Sequence, residues 1–398
     1  MFRDLLCFSH LRWDYVYQRP NHLMARAARD RRVYFVEEPQ EAQHPVPRTT
    51  KVVHDGVNVI TPWIPTGLPD DARRRALAAL MDTLVRVEGI QAPVVWYYTP
   101  MALPWTRHLD RALVVYDCMD YLAGFLGAPA QLVHLEAQLL EQADLVFCGG
   151  TSLHGRLRRR HGHSHCFPSS VDVGHFGRAR DGLAEPADQR SIPGPRIGYA
   201  GVIDERIDLD LIGGVAGARP DWQVVLVGPI AKIAPTAVPS APNIHLLGSK
   251  SYAELPAYMA GWDVGWMPFA RNETTRFISP TKTPEYLAAG LPVVSTSITD
   301  VVHPYGDEGL VSIADTVSEN LAALERVLAG ARPSLASVDR FLGGRSWDRT
   351  WAMMSSLIDV TDARPPEAAW PVGHPASDRV AAGVPVMAGL TASPAEVS

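Results

Sequence analysis

Residues 271–296 read RNETTRFISPTKTPEYLAAGLPVVST and carry the strongest fold signal in the chain. Ser279-Pro280-Thr281 precedes a helical pattern with Pro284 in its first turn and Gly290 at its end. Proline near the start and glycine at the end are the usual signals that bound a helix. The apolar run that follows is typical of a buried strand. The stretch therefore predicts a helix that leads into a parallel strand.

The start of this helix has the chemistry of a phosphate site. A helix N-terminus presents free N–H groups and a positive dipole, and Lys282 adds a full charge. Glu285, in the same first turn, is suited to accept both hydroxyls of a ribose. Alternatively, Glu285 only complements the dipole and Lys282 is a solvated surface residue. The residues alone leave both readings open.

On both sides of this stretch, short β-branched and aromatic runs alternate with helical patterns. Such alternation predicts parallel α/β architecture. A segment rich in glycine, proline and charge, residues 177–195, separates two such series. No strand is predicted between residues 38 and 93. The chain is therefore predicted to form two Rossmann-like halves.

Composition excludes several classes of protein. The 398 residues are 46% hydrophobic and 20% charged, which is ordinary globular usage and excludes a fibrous or disordered protein. A net charge of −6 gives no basic field for nucleic acid. Four dispersed cysteines without a CxxC pair argue against a zinc ribbon or a disulfide framework. The N-terminus lacks the apolar core of a signal peptide, so a cytoplasmic protein is expected, with peripheral contact to the inner membrane surface left open.

Motif searches narrow the choice further. Neither half carries the GxGxxG loop of dinucleotide-binding domains, and there is no GxxxxGK[ST] or GxSxG. Asp208-Leu209-Asp210 is formally a DxD metal motif but stands where a helix begins, so capping is the better interpretation. The histidines of residues 161–165 lack a matching carboxylate or thiolate pattern, so a solvated loop is expected and no metal site is predicted. Only four of the 37 basic residues are lysines; they are Lys51, Lys232, Lys250 and Lys282.

Residues 279–294, SPTKTPEYLAAGLPVV, resemble the SPxKxxEYLAxGxPVV donor-binding motif of GT-B glycosyltransferases of the group 1, family 4-like type. Further segments stand in the order found in that family. They are FPSSVDVGHF, RIGYAGVIDERIDLDLI, WQVVLVGP and NIHLLGSKSYAELPAYMAGWDVGWMPF. SWDRTWAMM, starting at residue 346, resembles the helix that crosses back to the N-terminal domain.

The resemblance implies a GT-B fold, in which two Rossmann-like domains face each other across a cleft. Residues 1–176 would form the acceptor domain, joined by the crossing helix 346–361, and residues 193–345 the nucleotide-sugar donor domain. Residues 362–398, rich in alanine, proline and valine without periodicity, are expected to be an unpacked tail.

Donor contacts also follow from the resemblance. Glu285 would hold the ribose, Lys282 and Arg206 would meet the diphosphate, and Gly201 would let the backbone approach. The remaining implied donor-binding residues are Ser279, Thr281, Gly228, Lys250 and Tyr252, the last three bordering the base. For Lys250, the alternative that stays open is a solvated loop position without a ligand. One departure is Phe277, which stands where many retaining members carry the first glutamate of an ExxxxxxxE pattern, so retention of configuration does not follow.

The acceptor site is expected in loops at strand ends of the N-terminal half. The loop 9–19, SHLRWDYVYQR, is dense in aromatic and charged residues. The alternative is that its aromatics fill the seam between the domains. In the functional interpretation Trp13 stacks on a sugar face, and hydroxyls or phosphate are bound by His10, Arg12, Asp14 and Arg19. Glu37-Glu38, at another strand end, is either acceptor-side or structural.

An inverting transferase needs a general base for the acceptor hydroxyl, and a carboxylate at a strand end suits that role. Asp117 and Asp120 both stand there, in VVYDCMDYLAGF. The YxxxD arrangement resembles the proposed base of bacterial polysaccharide glucuronosyltransferases of GT-B fold, which favours Asp120. Capping of the next helix is the alternative for Asp120.

These observations predict transfer of a sugar from a nucleotide-diphosphate donor, most simply a UDP-sugar, to a hydroxyl acceptor. The acceptor is expected to be a cell-envelope or exopolysaccharide glycan or a lipid-linked molecule, and no cofactor or metal is expected. The arginines at 73–75 and 156–160 are expected to lie on surface helices, and the alternative is that they form a patch that faces a membrane. The alternatives are a UDP-sugar 2-epimerase-like isomerase on the same fold and a non-catalytic UDP-sugar-binding protein.

Overall fold

The computed structural model describes residues 3–363, which are organised around two β-sheets. The first sheet has nine strands in the order β3-β5-β2-β1-β6-β7-β8-β9, parallel except that β4 pairs antiparallel with β5. Its strands are β1 (Leu5–Phe8), β2 (Val33–Val36), β3 (Gln40–Ala42), β4 (Arg48–His54), β5 (Val57–Pro65), β6 (Val94–Tyr97), β7 (Leu113–Cys118), β8 (Leu145–Cys148) and β9 (Ser164–Cys166).

The second sheet is fully parallel and has six strands in the order β12-β11-β10-β13-β14-β15. Counted from its first strand, this is the 3-2-1-4-5-6 order of a doubly wound domain. Its strands are β10 (Arg196–Ala200), β11 (Gln223–Val227), β12 (Ile244–Gly248), β13 (Val264–Met267), β14 (Val293–Ser295) and β15 (Val311–Ile313). The predicted α/β architecture with two parallel halves is confirmed.

Helices connect the strands, as the alternating pattern predicted. In the first half they are α1 (Arg19–Ala27), α2 (Asp70–Glu88), α3 (Leu103–Thr106), α4 (Leu132–Gln142), α5 (Thr151–Leu157) and α6 (Val173–Gly177). In the second they are α7 (Leu209–Ala218), α8 (Leu255–Ala260), α9 (Lys282–Ala288), α10 (Thr299–Val301), α11 (Val317–Leu328), α12 (Leu335–Leu342) and α13 (Trp347–Asp362). No helix within residues 3–363 has the length and apolar content needed to span a membrane.

Strands β3, β4 and β5 are the strands that the sequence analysis missed. The β4–β5 hairpin turns at Asp55-Gly56, both with positive φ, 50° and 80°. An Asp-Gly pair between alternating apolar residues is a recognised hairpin signal, so this turn was readable from the sequence. Strand β4 itself carries little signal, because its residues are almost all exposed at the edge of the sheet.

Helix α13 follows the second half and returns to the first sheet. Its buried side chains Trp347, Trp351, Met354 and Ile358 belong to the same apolar cluster as residues of β1, β2 and β6. Their spacing of three or four residues places them on one face of the helix. The predicted crossing helix is therefore confirmed as an element. It extends through Asp362, one residue into the predicted tail, and residues 364–398 of that tail lie outside the described residues.

A buried ion pair joins α1 to the central strand β7. Arg19 Nε and Nη2 donate to the two carboxylate oxygens of Asp117 at 3.1 and 2.9 Å, and Arg19 Nη1 donates to the Phe167 carbonyl at 2.7 Å. Both side chains are almost completely removed from solvent. A buried charge that loses its partner keeps its full desolvation cost.

We expect Arg19→Met to lower the free energy of unfolding by about 3–5 kcal/mol, because it leaves Asp117 buried and unpaired. The matched control is Arg29→Met, since Arg29 pairs with Asp348 at 2.7 Å where both side chains are exposed. That change should cost less than about 1 kcal/mol. Urea unfolding followed by circular dichroism measures both, and equal costs would contradict the structural role given to Arg19.

Candidate active site

The carboxyl-terminal edges of the two sheets face each other, and the loops at these edges are in contact. Hydrogen bonds between the halves include Thr274 Oγ1 to the Gly124 carbonyl at 2.8 Å, Ser169 Oγ to the Ser279 carbonyl at 2.8 Å, and the Ser152 N–H to Asp300 Oδ1 at 2.9 Å. Ser279 thus contributes its backbone carbonyl to the contact between the halves. Any ligand held between the sheets is enclosed by these loops.

Gly201 and Gly228, which follow β10 and β11, come into close backbone contact. Gly228 has φ +146°, and a Cβ on it would stand 1.9 Å from the Gly201 carbonyl oxygen. A Cβ on Gly201 would stand 2.7 Å from Lys282 Cε. The three predicted donor-site residues are therefore brought together, and only glycine fits at Gly228, where the clashing atom belongs to the backbone and φ is positive.

Lys282 and Glu285 lie together in the first turn of α9, beside Thr281. Lys282 Nζ is 3.3 Å from Thr281 Oγ1. Burial lowers the pKa of Lys282 and raises that of Glu285, and each charge counters the effect on the other. A buried carboxylate beside a buried ammonium is a polar pair with hydrogen-bonding capacity left for a ligand.

Arg206 extends this cationic group from the loop after β10. Its guanidinium binds Asp204 through both carboxylate oxygens, with Nη2 to Oδ2 at 2.6 Å, and Asp204 is buried. Arg206 Cζ also lies 5.6 Å from the ring centroid of Phe125, a residue of the first half. Arg206 therefore faces the cleft while Asp204 fixes its orientation.

Asp120 stands on the opposite side, after β7. Burial raises its pKa to about 6, and the positive charges of Arg206, Arg19 and Lys282 oppose that rise. The short 3-10 turn that follows, Leu122–Gly124, has Tyr121 at its N-cap and no side-chain cap. The capping alternative is thus wrong, and Asp120 is a carboxylate that faces the cations of the other half.

Lys250 and Tyr252 differ from the expectation that they border a base. Lys250 Nζ pairs with Asp188 Oδ2 at 2.7 Å, so its charge is neutralised by the segment that joins the halves. Both faces of the Tyr252 ring are covered, by His175 at 4.1 Å and by Tyr17 at 4.5 Å between centroids. A covered ring cannot stack on a base. The Tyr252 hydroxyl is buried without a partner, and Glu285 contributes, after burial, to the raised pKa of that group.

The predicted acceptor loop is corrected at two positions. Trp13 is buried and packs edge-on against Phe35, at 5.1 Å between ring centroids, so it is a core residue and not a stacking platform. Arg19 is committed to Asp117, as described above. Charge and aromaticity alone did not distinguish these core roles from ligand binding.

The other residues of this loop stay nearer the surface. Arg12 Nη1 donates to Glu37 at 3.0 Å, and Asp14 is largely exposed. His10 follows β1 and is partly exposed; burial and the charge of Lys232 lower its pKa to about 4, so it is neutral at pH 7. His10 is thereby in electrostatic contact with Lys232 of the opposite half.

Glu37 organises the loop instead of offering a free carboxylate. It accepts from the Trp13 N–H at 2.8 Å, from Thr61 Oγ1 at 2.8 Å and from Arg12. A cavity of about 500 Å³ opens beside it at the ends of β1, β2 and β6. Glu38 also lines the cavity, together with residues that were not predicted as site residues: Asp70, Arg73, Arg74, Met101 and Trp105. The sequence analysis identified the acidic pair that follows β2, but it did not predict that this pair borders a cavity.

Phe277 occupies the position of the missing glutamate and packs edge-on against Tyr121 at 5.4 Å. The side chain there is therefore part of the contact between the halves. The formal DxD is confirmed as a cap, since Asp208 Oδ1 accepts from the Leu211 N–H at 2.8 Å. Within the described part of the chain, no three histidine, cysteine or acidic side chains are grouped closely enough to hold a metal ion.

Several arginines of the two arginine-rich segments form ion pairs within the protein. Arg156 and Arg160 both bind Glu136, at 2.8 and 3.0 Å, and Arg73 binds Glu41 at 2.7 Å. These contacts agree with the interpretation of the arginine runs as surface helices.

Comparison with known proteins agrees with this geometry. Residues 195–329 match the family model described as "Glycosyl transferases group 1". The chain is a GT-B glycosyltransferase, and residues 195–329 are its group 1 region. The glycosyltransferase is 26% identical over 279 residues to the putative teichuronic acid biosynthesis glycosyltransferase TuaH of Bacillus subtilis. That match covers 64% of this chain and 68% of TuaH.

Solved structures show the same fold for this glycosyltransferase. Sucrose-phosphate synthase from Thermosynechococcus elongatus has a TM-score of 0.68 at 16% identity and covers 90% of this chain and 98% of its own. Anabaena HepE, solved with UDP and glucose, has a TM-score of 0.66 at 14% identity, with 89% and 99% covered.

We expect Gly228→Ala to destabilise the glycosyltransferase by about 1–3 kcal/mol. The added Cβ would clash with the Gly201 carbonyl oxygen, and the positive φ of Gly228 strains any residue other than glycine. Gly217→Ala is the matched control, since a Cβ there meets nothing within 4 Å on α7. Alanine at that helical position should be neutral or stabilising. Thermal unfolding compares the two, and an unchanged Gly228→Ala would contradict the close contact between these loops.

Proposed function

We propose that the protein transfers a sugar from a UDP-sugar to a hydroxyl of a cell-envelope or exopolysaccharide glycan, either free or lipid-linked. The observation that carries the proposal is the arrangement across the cleft. Asp120 of the first half lies in electrostatic contact with Arg206 and Lys282 of the second. A base thus faces the cations that would hold a leaving diphosphate.

The donor site would act mainly on the leaving group. Negative charge builds on the diphosphate as the glycosidic bond breaks, and preorganised cations stabilise it. Lys282 and Arg206 supply that charge, and Gly201 lies close to the Lys282 side chain. Because side chains supply the positive charge and Asp208 is engaged as a cap, we propose a reaction that requires no metal.

Asp120 would remove the proton of the acceptor hydroxyl as that oxygen attacks the anomeric carbon. A pKa of about 6 leaves it ionised at pH 7 and still basic enough to take a proton. Asp117 is unsuited to this role because Arg19 occupies both of its oxygens.

UDP as the donor nucleotide is supported by the UDP complex of HepE, which shares the fold. A glycan acceptor is supported by the description of TuaH as an enzyme of teichuronic acid biosynthesis. The cavity beside Glu37 offers space for such a glycan at the same sheet edge as Asp120. For peripheral membrane contact, Arg158 and Arg159 remain exposed on the surface.

Calorimetric titration of UDP, GDP and ADP tests the donor site. We expect selective binding of UDP, weakened by about 1–3 kcal/mol in Lys282→Ala and in Glu285→Ala, the size of a lost hydrogen bond to a charged group. Lys51→Ala is the matched control, because Lys51 pairs with Glu88 on the surface of the first half. If UDP does not bind, or if both site variants bind it like the wild type, the proposed donor site is wrong.

The pH dependence of UDP release from a bound UDP-sugar, with water as acceptor, tests Asp120. Because the base acts only when ionised, the rate should rise with pH and then level off, with a midpoint at about 6 or higher, since the bound diphosphate also raises the pKa of Asp120. Asp120→Asn should remove this rise and lower the rate by about 10²–10⁴-fold.

UDP affinity provides the check on Asp120→Asn. Removing a negative charge beside Arg206 and Lys282 should leave UDP binding unchanged or tighter. Asp110→Asn, at an exposed position of the first half, serves as the control. A loss of UDP affinity that accounts for the whole loss of rate would mean that Asp120 supports donor binding and is not the base.

A further inference from the structure

Two charged residues that the sequence analysis did not assign meet in the cleft. Glu205 lies in the loop after β10 and Lys232 in the loop after β11, with Lys232 Nζ 3.4 Å from Glu205 Oε1. Lys232 is one of only four lysines in the chain. Glu205 directly precedes Arg206, for which we propose a diphosphate contact.

The pair faces the first half of the protein. Lys232 Nζ lies 4.6 Å from the ring centroid of Phe125, and the Arg206 guanidinium carbon lies 5.6 Å from the same centroid. Lys232 also contributes to the low pKa of His10, which follows β1. Phe125 and His10 both belong to loops at the carboxyl edge of the first sheet. Glu205 and Lys232 therefore border the space between the diphosphate cations and the acceptor side, where a transferred sugar must lie.

Glu205 has hydrogen-bonding capacity that the protein leaves unused. Its Oε2 is buried and has no hydrogen-bond partner, and its contact with Lys232 through Oε1 is long. A buried carboxylate oxygen without a donor is costly and calls for an explanation such as a ligand. Lys232 has φ +59°, which is uncommon for a residue other than glycine and is concentrated at functional sites.

Position 277, in the loop before α9, offers no carboxylate. Phe277 stands at that position, and its ring packs against Tyr121 and accepts no hydroxyl. The sugar of the donor therefore needs another acceptor of hydrogen bonds, and Glu205 reaches the cleft from a different loop.

We infer that Glu205 and Lys232 form the subsite for the transferred sugar and select a neutral hexose or N-acetylhexosamine over a hexuronate. This inference rests on the proposed UDP-sugar donor. Glu205 accepts from the sugar hydroxyls, in the bidentate manner open to a carboxylate, and Lys232 donates to a ring or hydroxyl oxygen. A hexuronate is disfavoured because Glu205 would repel its carboxylate. Lys232 gives little compensating attraction, since its charge is already offset by Glu205.

The test compares UDP with UDP-sugars, so that sugar contacts are separated from nucleotide contacts. UDP, UDP-glucose, UDP-galactose, their N-acetylamino counterparts and UDP-glucuronate are titrated into the wild type, Glu205→Gln and Lys232→Gln. We expect the best neutral donor to bind at least about tenfold more tightly than UDP-glucuronate, the factor that corresponds to about 1.4 kcal/mol. Glu205→Gln should weaken that donor about tenfold and change UDP affinity less than twofold.

Glu205→Gln should also narrow the discrimination against UDP-glucuronate, because Lys232 is then free to pair with the uronate. Lys232→Gln should weaken neutral donors without that gain. Glu308→Gln, an exposed residue of the same half, is the matched control, and thermal unfolding verifies that all variants fold.

Three results would overturn the inference. They are an equal loss of UDP and UDP-sugar affinity in Glu205→Gln, no loss of either, and tighter binding of UDP-glucuronate than of any neutral donor by the wild type. Failure of UDP itself to bind the wild type is a different outcome, since it refutes the proposed function and the sugar subsite with it.

Discussion

The arrangement of the two halves depends on the packing of α13 against the first sheet. Trp347 stacks on His22 of α1, with ring centroids 4.6 Å apart and planes 10° from parallel, and Trp351 contacts Trp96 of β6. His22 is buried there, and burial lowers its pKa to about 3, so it stays neutral. Because α13 continues directly from the second half, burying these aromatic side chains in the first sheet ties the two halves together.

Charge in the cleft is closely balanced before any ligand binds. Arg206 pairs with Asp204, Lys232 with Glu205, and Lys282 lies beside Glu285. Paired cations avoid the desolvation cost of isolated buried charges and are held in position for an anion. A diphosphate bound at Arg206 and Lys282, as we propose, would add negative charge near Asp120. It would therefore raise the pKa of Asp120 further and make that carboxylate a stronger proton acceptor when the donor is present.

The N-terminal loop shows why residue type is a weak guide to role. Trp13 and Arg19 have the chemistry of sugar and phosphate ligands, yet one fills the core and the other neutralises a buried aspartate. Tyr252 shows the same effect on the donor side, since neighbouring rings cover both of its faces. Partners that decide these roles come from distant segments, such as Phe35 for Trp13 and Phe167 for Arg19, and no local pattern reveals them.

The sequence by itself determined the alternation of strands and helices, the two Rossmann-like halves, the helix that follows the second half and the glycine-bounded segment around Lys282 and Glu285. These features are local, because hydrophobic period, proline and glycine positions and first-turn charges act within a few residues. Only the tertiary structure decided which charged and aromatic side chains face the cleft. It placed Asp120 against Arg206 and Lys282, buried Arg19 on Asp117, and brought Glu205 to Lys232. Those outcomes depend on burial and on partners far apart in the chain, and both are set when the two sheets meet.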